Sequence, residues 1–222
     1  MKHPVRPRGV VFDLDGTLVD SLTLVLGALT HALEPFGGKP TMDIFGQLGG
    51  PPSTFLGRML PSEADVPVAL ERFREYHEAN SHRILPYAGA AEHLGALRTQ
   101  GVGLAVWTGR DRSSTEWLLE RHGLAGHFSA VLCGDDLDSH KPDPAGLQMI
   151  LRGLEMSPEE IILVGDADVD VLGGAACGVD TLLIRHGREI PSEIVARCWR
   201  TVASPNEAYV VVAEHLQRPT SA

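Results

Sequence analysis

The sequence predicts an α/β fold, in which helices cover both faces of a parallel β-sheet and a helical domain is inserted after the first strand. Five short apolar runs recur along the 222-residue chain, and polar residues or glycine follow each of them: VVFDLDG, GLAVWTG, AVLCGDD, IILVGDA and TLLIRHG. Segments of helical periodicity separate the later runs, at 113–122 and 144–154. A last strand is predicted at 201–203 and a last helix at 205–216. Apolar strands that alternate with helices are typical of a parallel sheet buried on both faces.

The long interval between the first two strands predicts the inserted domain. Residues 18–86 contain no strand pattern, although a single crossover helix needs only about a dozen residues. The predicted helices of this interval are 21–33, 42–48, 53–60 and 63–81. We therefore predict a core of residues 1–17 and 86–222, and an all-helical domain of residues 18–85 that is called the cap below.

The overall charge argues against two classes of partner. The chain has 29 acidic and 19 basic residues, a formal net charge of -10, and 43% of its residues are hydrophobic. This balance is typical of a globular protein and argues against a surface that coats nucleic acid or binds an anionic membrane. A small anionic substrate is still compatible with the composition, because a bound cation can reverse the field inside a site.

Cysteine usage and the N-terminal stretch bear on the compartment. Cys133, Cys177 and Cys198 are far apart and form no C-x-x-C pair, so neither a disulfide framework nor a cysteine zinc site is predicted. The stretch MKHPVRPRG lacks the apolar run of a secretory signal, and no segment reaches the apolar length of a membrane span. We therefore predict a cytoplasmic location.

Two carboxylates directly follow the first predicted strand. Asp13 and Asp15 come after the apolar residues VVF, and a Gly-Thr pair follows them. Two like charges at the end of a buried strand are unfavourable unless a cation neutralises them. The motif therefore predicts a cation at this strand end.

Polar side chains also follow the next three strands. They are Thr108 in VWTGR, Lys141 in HKPDP, and Asp166, Asp168 and Asp170 in VGDADVD. Because ligands bind at the carboxyl ends of the strands in such sheets, we expect these side chains to share one crevice with Asp13 and Asp15. A carboxylate cluster without His or Cys ligands suits a hard, oxygen-binding cation, and Mg2+ is the predicted cofactor.

Each motif on its own also has a purely structural interpretation. DGT is common in turns, VGD and Thr108 can cap helices, and an isolated lysine usually lies on the surface. However, Lys2, Lys39 and Lys141 are the only lysines among 19 basic residues, so the chain keeps a compact point charge beside the predicted site while it uses arginine elsewhere. The four motifs in this order and spacing together favour the functional interpretation.

As a set, the four motifs resemble those of the haloacid dehalogenase-like hydrolase superfamily, in the branch whose helical cap is inserted after the first motif. DLDGTLVDS resembles the first motif, Thr108 the second, Lys141 in KPDP the third and GDADVD the fourth. The resemblance covers nearly the whole chain. It implies a Rossmann-like core and a Mg2+-dependent, phosphoglycolate phosphatase-like enzyme that acts on a small phosphorylated metabolite as a monomer or homodimer.

The resemblance also implies catalytic roles. Asp13 would be the nucleophile that forms an aspartyl-phosphate, and Asp15 would be the general acid/base. Thr108 and Lys141 would hold the transferring phosphoryl group. Gly109 stands where Asn is common in the family and would contribute its main-chain N–H.

For the metal, the resemblance implies that Asp166 ligates Mg2+ together with Asp13 and the main-chain carbonyl of Asp15. Asp170 would be a supporting acid near the metal or the motif lysine. Asp168 would be a loop residue.

Cap residues that close over the crevice would set the choice of substrate. Arg58 is the predicted substrate-binding residue of the cap, and His77, His82 and Arg83 are further polar candidates. We interpret Lys39 as a solvated side chain. The ten histidines form no H-x-x-x-H pair, and no metal is assigned to them.

Several alternatives to a phosphatase are compatible with the motifs. The acid at Asp15 argues against the dehalogenases and the phosphonate-cleaving members, which lack an acid there. The β-phosphoglucomutase-like members carry a histidine on the first cap helix, where this chain has about Val25. LGGPPSTF resembles the cap loop of phosphoglycolate phosphatase-like and nucleotidase-like members. The alternatives are a phosphosugar mutase, a pyrophosphatase, and an inactive phosphate-binding protein that keeps the fold.

Overall fold

The computed structural model describes residues 7–217, and a six-stranded parallel sheet forms its centre. The strands of the described chain are Gly9–Phe12 (β1), Val19–Asp20 (β2), Leu85–Pro86 (β3), Gly103–Trp107 (β4), Ala130–Leu132 (β5), Ile161–Gly165 (β6), Asp180–Ile184 (β7) and Arg200–Val202 (β8). Strands β2 and β3 lie outside the six-stranded sheet. The central sheet has the order β5-β4-β1-β6-β7-β8, and every pairing between its neighbours is parallel. The predicted α/β fold with a Rossmann-like sheet is confirmed.

Helices of the core cover both faces of this sheet, and three further helices, α1 to α3 in the following list, belong to the cap. The helices are Leu22–Leu33 (α1), Pro52–Met59 (α2), Val66–Asn80 (α3), Ala90–Thr99 (α4), Arg112–Arg121 (α5), Ala145–Leu154 (α6), Asp168–Cys177 (α7), Ser192–Val195 (α8) and Pro205–Gln217 (α9). Val10 and Phe12 of β1 are buried against α4, α5 and α9, whereas Val11 is buried on the opposite face, beneath α6. Successive side chains of a strand point to opposite faces, so a fully apolar β1 fits a sheet that is buried on both sides.

The strand order places β1 where the direction of chain progression reverses. From β1 the chain continues to β4 and β5 on one side, and later to β6, β7 and β8 on the other. Phe12 therefore lies between Val106 and Val164 at the carboxyl ends of three neighbouring strands. Ligands of open parallel sheets bind outside such a switch point.

Both connections between the core and the cap run through a short antiparallel ribbon formed by β2 and β3. Val19 pairs with Pro86, and Asp20 pairs with Leu85. The sequence did not predict this ribbon, because two-residue strands are too short to show an alternating pattern.

The cap helices α1, α2 and α3 pack around a hydrophobic cluster of their own. Its buried members are Ala28, Leu29, Ala32, Leu33, Phe55, Leu56, Ala69 and Phe73. Three of the four predicted cap helices are present with shifted ends, and the longest one begins with a separate 3-10 turn, Glu63–Asp65. The fourth is a 3-10 helix, Met42–Gln47, rather than an α-helix. Its Gly46 disfavours an α-helix, and the space that a Cβ would need there is occupied by Asp168 and Arg188 of the core.

The helices predicted for the core correspond to α5, α6 and α9, and the last predicted strand corresponds to β8. Helices α4, α7 and α8 were not predicted individually. Within residues 7–217, no helix is both long enough and apolar enough to cross a membrane.

Candidate active site

The side chain of Lys141 connects two carboxylates at the end of the central strand. Its Nζ donates to Asp13 Oδ1 at 2.7 Å and to Asp170 Oδ1 at 2.6 Å, and all three side chains are buried. The main-chain N–H of Asp13 continues the sheet by donating to the carbonyl of Val164 at 2.8 Å. The ammonium group also lies 4.8 Å from the centre of the Trp107 ring, within range of a cation–π contact. The lysine of the third motif is therefore enclosed in the site.

Three buried carboxylates form a possible metal site beside this lysine. Asp13, Asp166 and Asp170 each offer one oxygen, and these oxygens lie within 4.8 Å of one another. Gly16, with φ of 73°, brings the DGT turn so close to Asp166 that a Cβ at this position would collide with the carboxylate. The Asp15 side chain does not belong to this group of oxygens.

The turn that carries these acids is held from the opposite side. His186 Nε2 lies 2.6 Å from the carbonyl oxygen of Gly16, and Tyr209 donates its hydroxyl to the carbonyl of Thr17 at 2.7 Å. Both contacts come from segments more than 150 residues away in sequence. Tertiary contacts thus fix the DGT turn beside the three buried carboxylates.

The protonation of the acid cluster reflects its burial. Burial raises the pKa of Asp13 to about 7, although the charge of Lys141 acts in the opposite direction. Burial and the neighbouring Asp13 and Asp170 carboxylates raise the pKa of Asp166 well above its ordinary value. One lysine therefore does not neutralise the cluster, and a divalent cation with oxygen ligands fits the remaining negative charge.

The second motif contributes a buried hydroxyl and a glycine. Thr108 Oγ accepts from the main-chain N–H of Arg110 at 3.1 Å. A Cβ on Gly109 would lie 3.2 Å from the main chain of Gly49 and Gly50, so the cap passes directly over this position. A larger residue, such as the Asn that the family often has here, would press against the backbone of the cap. This close packing explains the glycine.

Arg110 is a site residue that the sequence analysis missed. Its Nε and Nη2 donate to the two carboxylate oxygens of Asp15 at 3.0 and 2.6 Å, and its Nη1 lies 2.9 Å from His77 Nε2. Ser21 Oγ also donates to Asp15, at 2.5 Å. Arg110 therefore links the second acid of the first motif to the cap. The only sequence signal was its position two residues after Thr108.

The two acids of the first motif consequently differ in electrostatic environment. Burial raises the pKa of Asp15, but the charge and hydrogen bonds of Arg110, together with the Ser21 hydroxyl, outweigh this effect and bring the pKa below its ordinary value. Asp13 shares one lysine with a second carboxylate and has a raised pKa. Such a separation between two neighbouring acids is typical of sites that perform acid/base chemistry.

These side chains open into a cavity of about 740 Å³ between the sheet and the cap. The predicted site residues that line it are Asp13, Asp15, Thr108, Gly109, Lys141, Asp166 and Asp170. His77 lines it as well, from α3.

The structure does not bring the other predicted cap residues to this cavity. Arg58 is exposed and lies outside the lining, because Phe55 and Leu56 form the buried side of α2 and leave Arg58 on the outer side. His82 and Arg83, in the 3-10 helix Ser81–Arg83, do not line it either.

Asp168 was predicted to be a loop residue, and this is wrong. It is the first residue of α7, and Arg188 lies 3.4 Å from its Oδ1 while also donating to the main-chain oxygen of Asp166. Asp168 therefore helps to hold Arg188 against the main chain of Asp166.

Comparisons with known proteins agree with this geometry. The sequence profile of the haloacid dehalogenase-like hydrolase family matches residues 10–184. The chain is 33% identical over 202 residues to phosphoglycolate phosphatase 1 of Pseudomonas aeruginosa, and the match covers 84% of this chain and 74% of that protein. It is 32% identical over 180 residues to pyrophosphatase PpaX of Halalkalibacterium halodurans, with 80% and 83% covered. A hydrolase from Pseudomonas syringae has a similar fold, with a TM-score of 0.79, 22% identity, and coverage of 93% of this chain and 98% of that one.

Proposed function

The chain belongs to the haloacid dehalogenase-like hydrolase family, and from this premise we propose that it is a Mg2+-dependent phosphatase that acts on a small phosphorylated metabolite. Relatives that are 33% identical are phosphoglycolate phosphatases, which supports a phosphoric monoester as the substrate. The observation that carries the proposal is the meeting of Asp13, Lys141 and Asp166 at one buried strand end.

In the first step, an oxygen of the Asp13 carboxylate attacks phosphorus, and the bond between phosphorus and the leaving oxygen breaks. Asp15 enters this step in its protonated form and donates a proton to that oxygen, so that the product leaves as an alcohol. Lys141 and the Thr108 hydroxyl offset the negative charge of the phosphoryl oxygens. The product of this step is an aspartyl-phosphate on Asp13.

In the second step, Asp15 takes a proton from a water molecule, whose oxygen attacks phosphorus and displaces the Asp13 carboxylate. Inorganic phosphate is released, and both acids return to their starting state. Splitting the reaction in this way replaces one difficult displacement by two easier ones. Arg110 and Ser21 hold Asp15 in place for both proton transfers.

Asp13 and Asp166, with the main-chain carbonyl of Asp15, would hold Mg2+, and Asp170 would orient Lys141 beside it. When bound, Mg2+ supplies positive charge that draws the anionic phosphoryl group towards Asp13. The raised pKa values of Asp13 and Asp166 support this assignment, because burial and the neighbouring carboxylates outweigh the positive charges near them and a cation would offset that effect.

The proposal also includes the division of the chain into a core of residues 1–17 and 86–222 and a cap of residues 18–85. The β2–β3 ribbon and the separate hydrophobic cluster of the cap support this division. The cytoplasmic location and the monomeric or homodimeric state stay predictions.

A pyrophosphatase is the second candidate, because one relative with 32% identity is a pyrophosphatase. The mutase alternative receives less support. Val25 lines the cavity at the position where those relatives carry a histidine, and its side chain cannot transfer a proton to a sugar. An inactive phosphate-binding protein would have no use for an acid held by Arg110 beside the nucleophile position.

The test is a phosphate-release assay with phosphoglycolate, inorganic pyrophosphate and p-nitrophenyl phosphate, each with Mg2+ and with EDTA. We expect hydrolysis of the monoesters that EDTA abolishes and added Mg2+ restores. A marked preference for pyrophosphate would select the second candidate. Activity that ignores EDTA would refute the role of the metal, and binding without hydrolysis of any of these compounds would favour an inactive phosphate-binding protein.

A further inference from the structure

The cap side of the cavity has a composition that the proposed mechanism does not use. Apolar side chains are the majority of its lining, with Arg74 and Glu78 as charged members, and the apolar residues include Val25, Phe45, Leu48, Phe55, Leu70 and Phe73. Three of the six phenylalanines of the chain are thus part of one wall. The core adds the ring of Trp117, which is 41% exposed.

Three of the lining rings form a continuous row that leads towards the catalytic acids. Phe55 and Phe73 meet edge to face with ring centres 6.1 Å apart, and Phe73 and His77 stack almost parallel at 6.1 Å. His77 in turn contacts Arg110, which holds Asp15. The row therefore ends beside the acid that would protonate the leaving group.

The volume of the cavity exceeds the needs of the smallest phosphoesters. If each non-hydrogen atom takes about the 30 Å³ that a water molecule occupies, a two-carbon phosphoester fills roughly a third of the 740 Å³. Water is a poor occupant of the remainder near the phenylalanines, because it finds few hydrogen-bond partners there. Cavities of this size and lining usually hold larger, partly apolar ligands.

We propose that the leaving group of the substrate is an aromatic alcohol of about one or two rings, bound along the Phe55–Phe73–His77 row. This inference rests on the proposed phosphatase function, since the phosphoryl group must lie at Asp13 for the leaving group to reach the row. Aromatic rings pack favourably against one another in edge-to-face and offset arrangements, and all three rings of the row line the cavity.

The first test compares ethyl, benzyl and 2-naphthylmethyl phosphate with phosphoglycolate. The alcohols released from the first three have similar acidity, so differences in kcat/KM report binding of the leaving group rather than its reactivity. We expect kcat/KM to rise at least tenfold from ethyl to benzyl phosphate, and benzyl phosphate to exceed phosphoglycolate. Efficient hydrolysis of phosphoglycolate without a gain from ethyl to benzyl would overturn the inference and leave the phosphatase function intact.

A pair of substitutions on α3 then locates the effect. Leu70→Phe narrows the cavity, and we expect it to lower the benzyl-to-ethyl ratio of kcat/KM at least fivefold. Val68→Phe adds the same ring to the same helix at a residue that is 55% exposed and outside the cavity, and it should keep the wild-type ratio. An equal ratio in both variants would place the selectivity elsewhere and refute the proposal.

A binding measurement separates the inference from catalysis. Methylphosphonate and benzylphosphonate cannot be hydrolysed through a phosphorus–oxygen leaving group, and their affinities can be compared by calorimetry with Mg2+ present. We expect benzylphosphonate to bind at least tenfold more tightly. The same tenfold gain without turnover of any phosphoester would refute the phosphatase function but retain the aromatic site, whereas equal affinities would refute the aromatic site.

Discussion

The core wall and the cap wall of the cavity are built in different ways. Charged and polar side chains form most of the core wall, and three of them, Asp13, Thr108 and Asp166, directly follow strands whose neighbours fix their positions. Apolar side chains form most of the cap wall, and they are positioned by packing among α1, α2 and α3. The comparison teaches that, in the proposed enzyme, the reaction would depend on a few exactingly placed charges, whereas the choice of substrate would depend on the shape of a separate hydrophobic cluster. Arg110 and His77 join the two walls by a hydrogen bond.

The largest expected loss of activity comes from removing the proposed nucleophile of the core wall. Asp13→Asn keeps the size of the side chain but removes the attacking oxyanion, so we expect kcat to fall by at least about 10³-fold. Phosphate release under saturating substrate measures the change. Asp180→Asn, an exposed acid at the start of β7, is the matched control and should retain activity. Substantial turnover by the Asp13 variant would refute the covalent mechanism.

The residues of the core wall were predictable because their positions follow from topology. Asp13, Thr108 and Asp166 directly follow strands that proved to be neighbours, and a parallel sheet brings such ends together. Lys141 was harder, since it lies nine residues beyond β5, and only the motif and the scarcity of lysines indicated it. Helix α7 was not predicted as an element, because its sequence DVDVLGGAAC contains two glycines and lacks a clear amphipathic pattern.

Without the metal ion, the acid cluster of the core wall should make the free energy of unfolding depend on pH. The pKa of Asp13 is about 7 in the folded protein and 3.8 ordinarily, so without Mg2+ the folded state retains a proton that the unfolded chain has released. The contribution of Asp13 to the free energy of unfolding of the metal-free protein should therefore fall as the pH rises from about 4 to 7, with a slope on the order of 1.4 kcal/mol for each step of one in pH. Buried His93, whose pKa burial lowers to about 4, contributes in the opposite direction.

Urea unfolding at several pH values with EDTA measures this loss. Mg2+ binds the ionised cluster of the folded state, so its addition at pH 7.5 should restore stability and raise Tm by several degrees. Comparison with Asp13→Asn isolates the contribution of Asp13, because the variant keeps every other titrating group. The same pH dependence in the wild type and in Asp13→Asn from pH 4 to 7 would contradict the buried, undercompensated cluster.

Removing Arg110 tests the junction between the walls. The guanidinium keeps the pKa of Asp15 below its ordinary value despite burial, so Arg110→Gln should raise that pKa and move the pH–rate limb that reports Asp15 to higher pH. We expect kcat to fall roughly tenfold to a hundredfold, because Asp15 loses the two hydrogen bonds that position it for proton transfer.

The matched control is Arg112→Gln, because Arg112 forms ion pairs with Asp136 and Glu116 outside the cavity. Its pH–rate profile should match that of the wild type. If Arg110 had only a structural role, Arg110→Gln would lower the yield or Tm but leave the pH–rate limb of Asp15 unchanged. That result would contradict the assignment.

The cap wall was much less predictable, and the physical reason is the dependence of each side chain on helix orientation. Arg58 was selected as a basic residue near the cap loop, yet the packing of Phe55 and Leu56 turns it outwards. His77 was one of several candidates, and its partner Arg110 follows a core strand, so only the docked cap reveals their contact.

The smallest expected effect concerns the seam where the backbone of the cap lies on the core. A Cβ on Gly109 would meet Gly49 and Gly50 at 3.2 Å, so Gly109→Ala should displace the cap slightly and raise KM about threefold to tenfold. Gly126→Ala is the control, since a Cβ there would meet nothing within 4 Å. Steady-state kinetics on both variants measures the difference. An unchanged KM in Gly109→Ala would show that the seam does not limit substrate binding.

The β2–β3 ribbon has a consequence for how such a protein can diversify. Because the two connections between the core and the cap lie side by side, residues 18–85 leave and re-enter the core at a single point. Segments attached in this manner can be lengthened, shortened or replaced without reordering the strands that carry the reactive groups. Inheritance of the chemistry and acquisition of new substrates can therefore proceed independently along one gene.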